Sequence, residues 1–134
     1  MAAISITPLY MKDVTLTIGT DSYEKHVSGV TLTPSTNTAT WKGLSPSSTF
    51  TDASQATWML DLTYAQDWDT TNSLSKYLFA NQGATKTIVF KPKSANTPSV
   101  TVSVIIIAGS IGGNIDSYAE STVSLPVQGQ PTLA

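Results

Sequence analysis

The chain has 134 residues, enough for a single domain with a sizeable core and too few for two. All seven basic residues are lysine, set against nine acids for a formal charge of -2, which argues against nucleic-acid readout by basic patches and guanidinium forks. Cysteine is absent, which excludes disulfides and thiolate metal sites, and only 12% of residues are charged, so hydroxyls and amides must cover a surface suited to self-association.

From the start, MAAISITPLYMKD shows no basic leader followed by an apolar core and cleavage site, so secretory export is not expected. The first strand is predicted over Asp13 to Gly19, where Val14, Leu16 and Ile18 share one face and Thr15 and Thr17 the other. After a turn signal in DSYEKH, Tyr23 to Thr33 forms the next strand, with a break at Gly29. Thr33 to Thr57 is a long polar segment in which Trp41, Leu44 and Phe50 are apolar anchors without clear alternation around them. Segments this long are uncommon as idle connectors. Two arrangements suit it: an arm, with a short hairpin at Thr38 to Lys42, that docks its aromatics on a neighbouring subunit, or an internal loop that folds Trp41 and Phe50 onto its own core.

Thr57 to Asp67 alternates clearly, with Trp58, Leu60, Leu62 and Tyr64 on the core side and Met59, Asp61, Thr63 and Ala65 on the other. A helix of roughly three turns follows, capped by Asp69, Thr70 or Thr71, with Leu74, Tyr77, Leu78 and Asn81 at helical spacing and a stop at Gly83. So short a helix must lay its apolar stripe on a sheet. Thr85 to Lys91, Ser99 to Ile107 and Tyr118 to Val127 supply three further strands. The longest apolar run, Val104 to Ala108, is far shorter than the ~20 residues of a membrane-spanning helix, so no membrane partner is expected. The fold class is therefore mainly β: two packed antiparallel sheets, a sandwich or barrel, with one short α-helix and a long inter-strand loop, in one domain over 1–134.

Residues 103–114, SVIIIAGSIGGN, set an apolar run against glycines as a phosphate-binding strand and loop would. Asn114 and Ile115 stand where a Walker loop needs its Lys and hydroxyl residue, and the glycine spacing does not fit G-x-G-x-x-G, so Gly112 and Gly113 are expected to mark a turn. His26 is the lone histidine and lacks companions for zinc. Asp67 and Asp69 flank Trp68, as in a sugar subsite, but carboxylates before a helix more simply cap it. DWDTTNS lacks the central Gly and terminal Glu of a calcium loop. Trp41, Trp58 and Trp68 would make a carbohydrate platform only if Trp58 left the core, against its phase with Leu60 and Leu62. No catalytic residue, metal or cofactor is expected.

Between residues 57 and 131 the order of elements resembles the major tail proteins, the tail tube subunits of bacteriophages with long non-contractile tails. The pieces are TWMLDLTYAQDWDTTNSLSKYLFANQG, KTIVFKPKSANTPSVTVSV and IIIAGSIGGNIDSYAESTVSLPVQGQP. In that family a strand leads to a short helix ending in Asn-x-Gly, a strand ends near Phe-x-Pro, and a glycine turn precedes a closing strand with Gly-x-Pro. Asn81 and Gly83, Phe90 and Pro92, Gly112 and Gly113, and Gly129 and Pro131 hold those places.

The resemblance implies subunits assembled into rings, usually hexameric, whose inner strands join as one barrel and whose stacking makes a conduit for DNA delivery. It implies a virion location after a soluble cytoplasmic stage, contacts with tape measure, tail terminator and baseplate proteins, and an arm that reaches the next ring. A conduit should not grip DNA, and Asp61, Thr63, Asp67, Thr101 and Ser103 form the expected lumen lining. Trp41, Leu44 and Phe50 are the expected inter-subunit contacts. Alternatives are a terminator, a baseplate protein, a type VI secretion tube protein, or a carbohydrate-binding sandwich using Trp41 and Trp68. An enzyme would have to use Asp67, Asp69 or His26.

Overall fold

Alternation along the chain becomes antiparallel pairing. The computed structural model describes residues 2–92 and 98–133. Its elements are β1 (Thr15–Ile18), β2 (Asp21–Ser22), β3 (Val27–Ser35), β4 (Thr38–Lys42), β5 (Thr49–Ala53), β6 (Thr57–Ala65), α1 (Leu74–Ala80), β7 (Thr85–Lys91), β8 (Val100–Ile105) and β9 (Glu120–Leu133). One antiparallel sheet has seven strands in the order β2-β1-β7-β8-β9-β6-β3, and a second consists of β4 and β5. The mainly β class, with antiparallel sheets and one short helix, is the one expected from the sequence.

Two packed layers arise because β9 belongs to both. Glu120 to Pro126 pair with β6, and Val127 to Leu133 pair with β8. The register on β8 shifts between Thr101↔Thr132 and Ser103↔Gln128, leaving a bulge that contains Gly129, at φ 78°, and Pro131, which has no N–H for a ladder. Leu60, Leu62, Tyr64, Val123 and Leu125 of one wing share a single buried cluster with Leu16, Ile18, Ile88, Phe90, Val102 and Val104 of the other. These are alternate positions of period-two strands, so their polar neighbours turn to the outer faces.

Helix α1 closes over this core with Leu74 and Leu78 buried and Tyr77 packed beside them. Its cap is Ser73, not Asp69, Thr70 or Thr71: the Ser73 hydroxyl accepts from the Lys76 N–H. Asn72, at φ 62°, and the turn before it hold the three expected residues outside the helix. Replacing Ser73 by Ala is expected to cost about 1 kcal/mol, read as a lower urea midpoint at unchanged slope.

Three further expectations shift. Trp58 is half-buried rather than core, because it opens β6 opposite Pro34, away from the main cluster. The break at Gly29 is a bulge between Val27 and Gly29, and β3 runs on to Ser35. The closing strand extends from Glu120 past Val127 to Leu133.

Tyr23 lies buried between β2 and β3, its ring near those of His26 and Tyr77, and its hydroxyl has no partner among the described residues. Burial pushes its pKa up. An unmatched buried hydroxyl opposes folding, so Tyr23→Phe is expected to leave stability unchanged or raise it by about 1 kcal/mol. A lowered melting temperature would count against this.

Candidate functional site

The segment from Thr33 to Thr57 is an ordered ribbon. Strands β3 and β6 pair up to Ser35↔Thr57, and β4 and β5 continue as a hairpin from Thr38↔Ala53 to Lys42↔Thr49. At the base, the Ser54 N–H donates to Asn37 O at 2.7 Å, and the Asn37 N–H to the Ser54 hydroxyl at 3.1 Å. At the tip, the Gly43 N–H donates to Ser48 O at 2.6 Å, and a Cβ on Gly43 would stand 2.7 Å from that of Ser48. Every residue of β4 and β5 is exposed. Five pairs at about 3.3 Å per residue carry the tip some 17 Å beyond the body.

Strand alternation sorts the arm into two faces. Trp41 and Phe50 are directly opposed, their ring centroids 6.0 Å apart, with 63% and 64% of their surfaces exposed. Ala39 and Asp52 share that face. The other carries the Thr40 and Thr51 hydroxyls, bonded at 3.2 Å. Leu44 is fully exposed at the tip. None of the three apolar anchors is folded onto the subunit's own core, which removes the internal-loop arrangement.

The polar candidates do not form one surface. Asp61 accepts from the Ser124 hydroxyl, and the Thr63 and Thr122 hydroxyls meet at 3.2 Å, all on the outer face of the β9-β6-β3 wing. Thr101 and Ser103 lie on the outer face of the other wing. Because the wings pack core to core, these faces point away from each other, and one lumen cannot be lined by both. Asp67 lies beyond β6, where its carboxylate accepts from the Asp69 and Thr70 N–H groups, both at 3.0 Å. The Thr70 side chain and these backbone bonds hold its pKa below the usual value.

The glycine stretch also has a structural role. Gln66 brackets Gly112, donating to its carbonyl and accepting from its N–H, both at 2.9 Å, and accepts from the Trp68 indole at 3.2 Å. Gly112 is at φ 104°, a conformation that side chains resist, while a Cβ on Gly113 would meet that of Ala119 at 3.0 Å. Gly83, at φ 84°, follows the Asn81 cap of α1, and its N–H donates to Ile106 O at 2.9 Å. Among the described residues no three His, Asp or Glu side chains gather to hold a metal ion.

The fold itself recurs in solved structures. In fold the chain is similar to a chain of a structure titled "Virion of native gene transfer agent (GTA) particle", at TM-score 0.66 and 9% identity, over 91% of this chain and 95% of that one. It is similar also to a chain of an extracellular contractile injection system, the PVC sheath-tube complex in its extended state, at TM-score 0.66 and 15% identity, over 95% of this chain and 91% of that one. The fold is shared with parts of large particles. No known protein family and no curated protein matches the sequence.

The sequence pointed to Trp68 but not to the exposed apolar groups that accompany it. Trp68 and Phe79 meet edge to face at 6.4 Å on the surface, and Ile4, Ile6, Ile111, Ile115 and Tyr118 are exposed. Ile4 and Ile6 do alternate with Ser5 and Thr7, a strand-like signal, but nothing in their spacing says whether such a strand is buried.

Proposed function

We propose that this chain is the subunit of a virion tail tube, assembling into stacked, hexameric rings that form a hollow conduit for DNA. The arm carries the proposal. It is an ordered hairpin that presents two aromatic rings and a leucine to solvent, and a two-stranded ribbon of this kind is marginal without something to pack on. Paired exposed aromatic rings on a projecting ribbon suit a protein interface. The near end-to-end match to chains from a virion and a sheath-tube complex supports a structural part in a tail-type assembly.

The resemblance to major tail proteins of non-contractile tails favours the tube itself. Its partners are further copies of this chain, with tape measure, terminator and baseplate proteins at the ends and interior. The outer face bearing Asp61 and Thr63 is assigned to the lumen, where the carboxylate and hydroxyls offer no cation to DNA phosphates. Thr101 and Ser103 then face away from it, and the work of the protein resides in interfaces rather than in catalysis. Negative-stain microscopy of the purified protein is expected to show rings or hollow tubes. A strictly monomeric protein at high concentration would overturn the proposal.

A further inference from the structure

Strands β1 and β3 face each other across an open seam. A groove of about 420 Å³ runs between them, lined by Met11, Lys12, Val14 and Leu16 on the β1 side and by Glu24, Val27, Val30 and Thr31 on the β3 side, so that apolar side chains make its walls and one charge of each sign stands on either side. Strand β3 ends the sheet, so among the described residues no strand lies beside the backbone groups of its outer edge. Proteins usually protect such an edge with charges, a short strand or proline. This edge is nine residues long, carries no charge, and has only Pro34 near its far end.

The segment that leads into the groove has matching chemistry. Residues 2–10 are uncharged and lie outside regular structure, with 92% of Ile4 and 83% of Ile6 exposed. Ile4 and Ile6 would share one face of an extended strand, with Ser5 and Thr7 on the other, and Pro8 ends the stretch able to pair. The segment is tethered at the mouth of its own groove through Met11, yet it leaves that groove uncovered. Extended, nine residues span about 30 Å, enough to reach another subunit.

We infer that residues 3–7 of one copy add a strand to the free β3 edge of a second copy, seating Ile4 and Ile6 in the groove between β3 and β1. This requires self-association but not the tube architecture, and it uses a different surface from the arm. Strand addition satisfies the edge by main-chain bonding, and the Val14, Leu16, Val27 and Val30 side chains in the slot set the register of the two isoleucines.

The absence of native cysteine allows a direct test. Full-length Ile6→Cys and Val27→Cys chains, differing in tag length, are mixed and oxidised. The expected product is a disulfide-linked heterodimer exceeding either homodimer, and it should be lost when Ile4→Asp is added to the first chain. Thr7→Cys with Thr31→Cys, both on the outward face of the paired strands, replaces that pairing if Val27→Cys does not fold. No heterodimer from either pairing, or an Ile6→Cys/Val27→Cys double variant that closes only within one chain, would overturn the inference. Wild-type samples imaged in parallel separate the two claims: tubes without heterodimer sink this one alone, while heterodimer without tubes supports it and counts against the tube.

Discussion

Serine at both Trp41 and Phe50 is expected to leave a folded subunit that no longer forms long assemblies. The rings touch each other and sit outside the core cluster, so their loss affects only the local hairpin, by about 0.5–1.5 kcal/mol for the aromatic pair. At an interface, each ring buried contributes about 2–3 kcal/mol, so a docked arm loses roughly 5 kcal/mol. That is more than a thousandfold in a contact equilibrium, at about 1.4 kcal/mol per tenfold, and it recurs at every subunit. Sedimentation velocity should show a single slow species, with a circular dichroism spectrum and melting temperature close to wild type. Tubes of ordinary length from this variant would remove the arm from the account of assembly.

Reversing the charge at Asp61 tests the conduit rather than its construction. The residue is central in β6 on an outer face, and its acceptor role toward Ser124 joins two strands already paired on both sides of that position. Lysine there should fold and assemble. Repeated round each ring of the proposed tube, it would replace a repelling carboxylate with a cation that binds phosphate and releases counterions. Particles carrying Asp61→Lys are expected in normal number and tail length, with infectivity lowered on the order of tenfold or more as DNA is retained. Normal infectivity would place the Asp61 face outside the lumen. Thr101→Lys, on the opposite face, should have little effect.

How far the sequence specified these surfaces depended on burial. In β6, Leu60, Leu62 and Tyr64 alternate with polar residues because one face is core, and that strand is legible as written. The same holds for β7 and β8, whose buried residues recur at every second position. The hairpin has no buried face, so the short alternation of TATWK is not matched in TFTDA, where Asp52 shares a face with Phe50, and its register is fixed by cross-strand partners instead. Period alone cannot find such a strand. The helix start was misplaced because Asp69, Thr70 and Thr71 have the chemistry of caps, whereas the positive φ of Asn72 decides that Ser73 takes the role. For the lining, alternation identified which residues leave the core. It could not show that Asp61 and Thr101 leave it in opposite directions, since that depends on how the sheet folds over at β9.

The shared strand β9 also has a mechanical consequence. Fourteen residues of continuous chain are laddered to β6 over the first half and to β8 on either side of the bulge in the second. A load that slides one layer past the other pulls along this strand, so many hydrogen bonds across both ladders must yield together rather than one at a time. A wall built from such subunits resists shear within each subunit and gives way first at the contacts between them.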